Sequence, residues 1–410
     1  MLVEEFGSPL WVMCEDSIMQ SAAAVKEGLE AYPHALPCYA GKAFLCLAMV
    51  KLIDKAGFGL DVVSDGELYT ALQANFPSDR IFFHGNNKSA KELAMALDSG
   101  VKIVVDSQSE LEALVDLAKV QKKSVDILLR IIPGIELDTH DHIKTGHDTS
   151  KFGIPLDELD AAIRFILGQS QVRLIGLHAH IGSQAMDLAP YLESVDLFAE
   201  LYLKIKEKFN LTLPHLDVGG GLGIAYTAAD KPLSMQHWAR IVSERVKSAF
   251  TSRSLPLPEL SVEPGRAIVG SAGVTLYSTG HLKQLPGGTN YLAVDGGMAD
   301  NPRPITYQAQ YTAAVANRMK PEAESINWSI VGRYCESGDI IVEEAKLDAR
   351  DGDLIAIFAT GAYNYSMSSN YNRTARPACV LVKNGHAEVI IERETYTDLV
   401  SHDRLPTWLK

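Results

Sequence analysis

From about residue 20 to residue 264 the chain repeats one alternation: a short apolar run rich in β-branched residues, a polar or glycine-rich break, then a segment with helical apolar spacing. Eight runs carry the pattern, at residues 36–40, 59–64, 80–84, 102–106, 125–132, 173–178, 215–218 and 259–262. Between them, Ser89 with Glu92 and Ser107 with Glu110 form capping-box patterns, and Leu68 with Leu72 and Leu93 with Leu97 stand one helical turn apart. Eight strand–helix units predict an α/β fold of the (β/α)8 barrel type, with an open doubly wound sheet as the alternative. Position favours the barrel. Lys42, Asp61, His84, Asp106, His178, His180, Asp217, Glu263 and Arg266 all fall at or just beyond the carboxyl ends of runs, and a parallel barrel gathers those ends on one face.

After Pro264 the pattern changes to short alternating runs at 274–278, 291–294, 354–357, 379–383 and 387–392, separated by Gly, Asp, Asn and Pro. These predict an antiparallel β domain. The run at 9–14 precedes the first helix and is expected to add a strand to it. The expected division is a barrel over 18–264 and a β-sandwich-like domain over 1–17 and 265–410.

With 47% hydrophobic and 22% charged residues in 410 the composition is globular. Against 51 Asp and Glu stand 38 Lys and Arg, a net charge of −13 that repels nucleic acid and anionic membrane. No leader-like or membrane-length apolar stretch is visible. Five cysteines, Cys14, Cys38, Cys46, Cys335 and Cys379, form no Cys-x-x-Cys pair and no metal spacing. A reducing, cytoplasmic setting is expected, with no metal.

Candidate chemistry starts with Asp217-Val-Gly-Gly-Gly-Leu-Gly223, whose backbone N–H groups could surround a phosphate or simply make a tight turn. It lacks the Walker lysine and the context of a dinucleotide fingerprint. Lys42, directly after the first run, is placed at a barrel mouth, where desolvation and neighbouring cations would make its amine a nucleophile toward aldehydes; an ordinary solvated lysine is the other reading. Lysine and phosphate cradle together suggest pyridoxal 5′-phosphate. Glu263, ending the eighth run, could hold a pyridine nitrogen protonated. His178 and His180 alternate, so one is expected to face inward, and His180 is the candidate for stacking on the ring. Later loops add Arg303, suited to a forked grip on a carboxylate, with Tyr307; Cys335 in a polar loop beside a carboxylate; and Tyr363, a hydrogen-bond donor for phosphate.

Taken in order, Tyr-Ala-Gly-Lys42, Asp61-Val-Val-Ser, His84-Gly-Asn-Asn-Lys-Ser, Ser150-Lys-Phe-Gly, His178-Ala-His-Ile-Gly-Ser-Gln, Asp217-Val-Gly-Gly-Gly, Glu263-Pro-Gly-Arg, Asp295-Gly-Gly-Met, Cys335-Glu-Ser-Gly-Asp and Gly361-Ala-Tyr resemble the diaminopimelate decarboxylases, which belong to the fold-type III pyridoxal-phosphate decarboxylases. The resemblance spans nearly the whole chain. It implies a barrel carrying the cofactor on Lys42, a β domain and a head-to-tail homodimer with shared active sites. By position, His180 stacks on the ring, Glu263 meets the pyridine nitrogen, and Gly219, Gly220, Gly221, Ser183 and Tyr363 hold the phosphate, with Asp61, Gly265 and Arg266 also in the cofactor site. Arg266, Arg303, Tyr307 and Tyr363 match substrate-binding residues. Cys335 and Glu336 match the pair supplied by the partner subunit, the thiol for reprotonation and the acid for the distal end of the substrate. The implied reaction converts meso-2,6-diaminopimelate to L-lysine and CO2. Asp65, where relatives often carry Gly, and the variable Tyr334 depart from the pattern.

Two other readings stand beside this one. A sister decarboxylase of ornithine, arginine, carboxynorspermidine or a carrier-bound amino acid is opposed by Glu336, where ornithine-type relatives place Asp. A non-catalytic regulator is opposed by the presence of both Lys42 and Cys335.

Overall fold

The computed structural model describes residues 2–135, 150–318, 320 and 324–409. It divides into two units, one of residues 19–224 and 231–268, the other of 1–18, 225–230 and 269–410. The first strand, β1 (Leu10–Cys14), belongs to the second unit.

The first unit holds eight parallel strands in sequential order: β2 (Cys38–Ala40), β3 (Gly59–Val62), β4 (Ile81–Phe83), β5 (Lys102–Val105), β6 (Val125–Arg130), β7 (Val172–His178), β8 (His215–Gly220) and β9 (Glu259–Glu263). Each expected run coincides with one of them to within two residues at either end. The sheet closes through a parallel bridge between Ala35 and Leu260, where the Leu36 N–H donates to the Leu260 carbonyl at 2.9 Å and the Leu260 N–H to the His34 carbonyl at 2.8 Å. That closure excludes the open doubly wound alternative. Cys38, Phe82, Val104, Leu128 and Ile175, one from each of five strands, form a buried apolar cluster. The Ser89–Glu92 capping box is complete. Ser107 caps its helix through the Glu110 N–H, but the Glu110 carboxylate turns instead to Lys88 Nζ at 2.7 Å.

The second unit joins β1 with β10 (Gly273–Gln284), β11 (Asn290–Val294), β12 (Ala313–Val315), β13 (Ile326–Val331), β14 (Ile340–Leu347), β15 (Leu354–Phe358), β16 (Ala378–Lys383) and β17 (His386–Ile391) in a nine-stranded sheet. Its core includes Tyr277, Leu292, Trp328, Ile330, Ile341 and Ile355. The sheet is mixed rather than purely antiparallel. β1 runs antiparallel to β10 but parallel to β16, and β11 runs parallel to β13. Both parallel pairs join strands distant in sequence, where no hairpin dictates direction.

The boundaries differ from the expected 18–264 in three places, the first being residue 18, which goes with the second unit. Residues 265–268 stay with the barrel, where Gly265 packs so tightly that an added Cβ would lie 2.9 Å from the Ala40 Cβ. Residues 225–230 go with the second unit, where the Tyr226 ring packs edge-on to Tyr311 at 5.4 Å. Among the described residues no helix is long and apolar enough to cross a membrane.

Candidate active site

The carboxyl ends of the barrel strands surround a cavity of about 310 Å³, lined among others by Lys42, Asp61, His84, Arg130, His178, His180 and Glu263. Lys42 stands on a 3₁₀ turn, Gly41–Ala43, immediately after β2. The turn sits close to β3, since a Cβ on Gly41 would come within 2.9 Å of the Asp61 carbonyl oxygen. The lysine is exposed rather than desolvated. Its positive charge partly offsets the rise that burial imposes on Asp61, Glu67 and Glu263, so carboxylates surround it in place of the expected cations.

Glu263 ends β9 and is buried. Its Oε1 lies 3.2 Å from Nε2 of both His84 and His178, and its Oε2 is in hydrogen-bonding distance of His178 Nε2 at 3.4 Å. The two imidazoles meet edge to face, with ring centres 4.9 Å apart. Burial, reinforced by the Asp61 charge, pushes the Glu263 carboxyl above the usual carboxylate range. Burial likewise raises Asp61 and Asp217 well above theirs, and holds His178 and His180 well below the ordinary imidazole value, with His84 lowered too. Neutral imidazoles and reluctant acids therefore line the floor. Neither 3.2 Å approach to Glu263 Oε1 is aligned as a hydrogen bond, which leaves this buried oxygen without a hydrogen-bond partner, as is His178 Nδ1. Such atoms mark a place for a polar ligand. The His84, His178 and Glu263 ligand atoms also lie within 4.8 Å of one another, a spacing suited to a cation that no sequence motif signalled.

The glycine run continues β8 into a tight turn. Gly219 and Gly221 have φ of +71° and +99°, and a Cβ on Gly220 would collide with the Glu263 carbonyl. Two N–H groups expected to cradle phosphate are engaged within the protein. Gly219 donates to Asp217 Oδ1 at 2.9 Å and Gly220 to His180 Nδ1 at 3.3 Å. The second bond makes Nδ1 an acceptor, which leaves the proton of the neutral ring on Nε2. Arg266, buried, donates from Nη2 to Ser183 Oγ at 2.8 Å.

Both histidines of the His-Ala-His motif line the cavity, contrary to the expectation that one faces away. Residues two positions apart share a face of an extended chain, so the spacing of the pair itself favours one side, and the expectation of opposite faces misjudged the period. His84 and His178 were visible at strand ends without a role. Arg130 was missed; it closes β6, 4.5 Å over the Phe152 ring. Asp65 pairs on the surface with Lys91 at 2.9 Å in the first turn of its helix, so its charge is directed away from the cavity floor.

The remaining expected residues belong to the second unit. Arg303 is buried, donates from Nη1 to Tyr311 Oη at 2.6 Å and stands 4.8 Å over the Tyr226 ring. Tyr307, half-buried, ends the short helix Arg303–Tyr307. Tyr363, also half-buried, has φ +64°. Cys335 and Glu336 are exposed on the loop after β13, where the Cys335 N–H donates to Asn372 Oδ1 at 3.1 Å.

Residues 16–270 match the family described as pyridoxal-dependent decarboxylase, pyridoxal binding domain. The chain is 45% identical to a diaminopimelate decarboxylase of Synechocystis, covering 100% of this chain and 89% of the relative. It is also 45% identical to that of Bacillus subtilis, covering 98% of this chain and 92% of the relative. Among solved structures, a diaminopimelate decarboxylase from M. jannaschii in co-complex with L-lysine is similar with a TM-score of 0.92 and 34% identity, covering 100% of this chain and 95% of that one.

Proposed function

The chain belongs to the pyridoxal-dependent decarboxylases and, within them, to the diaminopimelate decarboxylases, and from that premise we propose that Lys42 carries pyridoxal 5′-phosphate in the barrel cavity. The reaction is decarboxylation of meso-2,6-diaminopimelate to L-lysine and CO2, the last step of lysine biosynthesis. When bound, the cofactor supplies a ring that withdraws the electron pair left behind as CO2 departs.

The observation that carries this reading is Glu263 Oε1, a buried acceptor without a hydrogen-bond partner in the cavity that Lys42 borders. It suits the protonated nitrogen of a pyridine ring, and a charge brought there would draw the raised Glu263 carboxyl to its ionised form. His84 and His178 hold that carboxylate from one side. His180, its ring oriented by the Gly220 N–H, covers the ring face. Gly219 to Gly221 would shape the turn that holds the phosphate with Ser183 and Tyr363, the Gly219 and Gly220 N–H groups bracing it through Asp217 and His180, within a frame that Asp61 and Gly265 complete. Arg266 stands between cofactor and substrate. Arg303 and Tyr307 grip the carboxylate of the substrate's non-reacting centre, and Glu336 its amino group, which contributes orientation more than charge stabilisation. Cys335 delivers the proton to Cα.

The exposure of Cys335 and Glu336 supports a homodimer in which this loop serves the partner's active site. The five cysteines form no disulfide, in keeping with the cytoplasm. The test is an assay of purified protein with pyridoxal 5′-phosphate and meso-diaminopimelate for stoichiometric CO2 and L-lysine, with ornithine and arginine as competing substrates. Turnover of either competitor ahead of meso-diaminopimelate overturns the assignment.

A further inference from the structure

The loop of residues 295–302 leads into the helix bearing Arg303 and Tyr307, and the loop of residues 332–339 bears Cys335 and Glu336. One buried side chain joins them. Asp339 Oδ1 accepts the Met298 N–H at 2.6 Å, and Oδ2 accepts the Tyr334 N–H at 2.9 Å. Two glycines make room for it, since a Cβ at Gly297 or Gly332 would collide with the carboxylate. The backbone adds a further tie where the Arg333 N–H donates to the Gly296 carbonyl at 3.0 Å.

A second buried acid supports the first. Asp300 Oδ1 accepts the Gly297 N–H at 2.9 Å and lies 3.4 Å from the Tyr334 hydroxyl, while Oδ2 accepts the Tyr277 hydroxyl. The loop of Tyr363 is stitched on as well. The Ser369 N–H donates to the Ala299 carbonyl at 2.8 Å, and Asn372 receives the Cys335 N–H.

We propose that Asp339 is a positioning residue for the reaction, tying the Cys335–Glu336 loop, which serves the partner's site, to the Arg303 loop of the chain's own site, so that one carboxylate fixes what each protomer gives to the two shared sites. The inference rests on the roles assigned to those residues above. Its physical content lies in an asymmetry between the two acids. Both Asp339 oxygens accept from backbone N–H groups, which cannot reverse polarity, so an amide there would set an NH2 against an N–H donor. At Asp300 Oδ2 faces the Tyr277 hydroxyl, which can turn to accept, while Oδ1 keeps the Gly297 N–H, so an amide there finds partners.

The test compares Asp339→Asn, Asp300→Asn and Cys335→Ala as holoenzymes. It measures kcat/KM with meso-diaminopimelate, cofactor dissociation, and iodoacetamide alkylation of Cys335 read by peptide mass. Asp339→Asn is expected to lower kcat/KM about tenfold and to change Cys335 alkylation severalfold, with cofactor affinity within about twofold of wild type, because Lys42 and Glu263 belong to the other unit. Asp300→Asn is expected to stay within about threefold in kcat/KM. Unchanged turnover and alkylation in Asp339→Asn overturns the proposal, as does equal loss in the two Asn variants, or loss of cofactor along with turnover. Wild-type turnover in Cys335→Ala overturns instead the role given to Cys335, a separate failure.

Discussion

The two units bury acids to opposite ends. In the barrel, Asp61, Asp217 and Glu263 are desolvated beside neutral imidazoles, and Glu263 keeps one oxygen without a hydrogen-bond partner at the cavity. In the β unit, Asp300 and Asp339 are also buried, but each has both oxygens engaged by N–H or hydroxyl donors. Burial alone therefore does not mark a functional acid. The open hydrogen-bonding capacity of Glu263 at the cavity that Lys42 borders identifies a ligand site, whereas the saturated acids identify scaffold, since an unsatisfied buried polar group points to a ligand where it faces such a cavity.

This contrast yields graded expectations. The largest effect should come from Lys42→Ala, expected to lower turnover at least about 10³-fold and to abolish the visible absorption of lysine-linked cofactor. Borohydride reduction followed by peptide mapping checks it, and an adduct on any other lysine breaks the barrel side of the comparison. Next, Glu263→Gln keeps the shape but replaces a chargeable oxygen beside a ring nitrogen with an amide. Turnover is expected to fall on the order of 10²-fold with cofactor retained. A variant with normal kcat would show that the open oxygen of Glu263 has no part in the chemistry.

Cys335→Ala sharpens the comparison from the other unit. Removing a proton donor is expected to lower kcat on the order of 10²-fold while KM and cofactor affinity stay near wild type. Mixing it with Lys42→Ala tests the shared-site homodimer. If each site draws Lys42 from one subunit and Cys335 from the other, the mixed dimer contains one intact site and recovers activity that neither parent has.

The barrel's candidate residues were legible because strand period and chemistry coincide. Lys42, Asp61 and Glu263 each end or directly follow an apolar run, and a closed parallel sheet necessarily collects such ends. The expectation of opposite faces for His178 and His180 failed because it misjudged the strand period: residues two apart share a face, and both rings reach the cavity. Other features were concealed because they join distant segments. Arg130 lay unremarked within the run at 125–132, and only the fold brings Phe152 beneath it. The pairing of β1 with β16, and the convergence of Met298 and Tyr334 on Asp339, join segments whose proximity no local pattern encodes.

The last expectation concerns stability rather than turnover and isolates one saturated acid. Burial pushes the Asp300 carboxyl from an ordinary 3.8 up to about 7. Between those values the folded protein holds a proton that the unfolded chain has released, so this group's contribution to stability declines as pH rises from about 4 to about 7 and levels off above. Asp300→Asn cannot titrate. Its unfolding free energy should lose that part of the pH dependence, an amount of up to about 4 kcal/mol across the window. Urea unfolding of both proteins at pH 5 and pH 8 measures the difference directly, and because the raised acids of the barrel are common to both chains, they cancel. The wild type should lose more stability than the variant between the two pH values. Identical losses would mean that the tyrosine and N–H donors around Asp300 hold it ionised, making it a charged scaffold like a surface carboxylate rather than a largely neutral one.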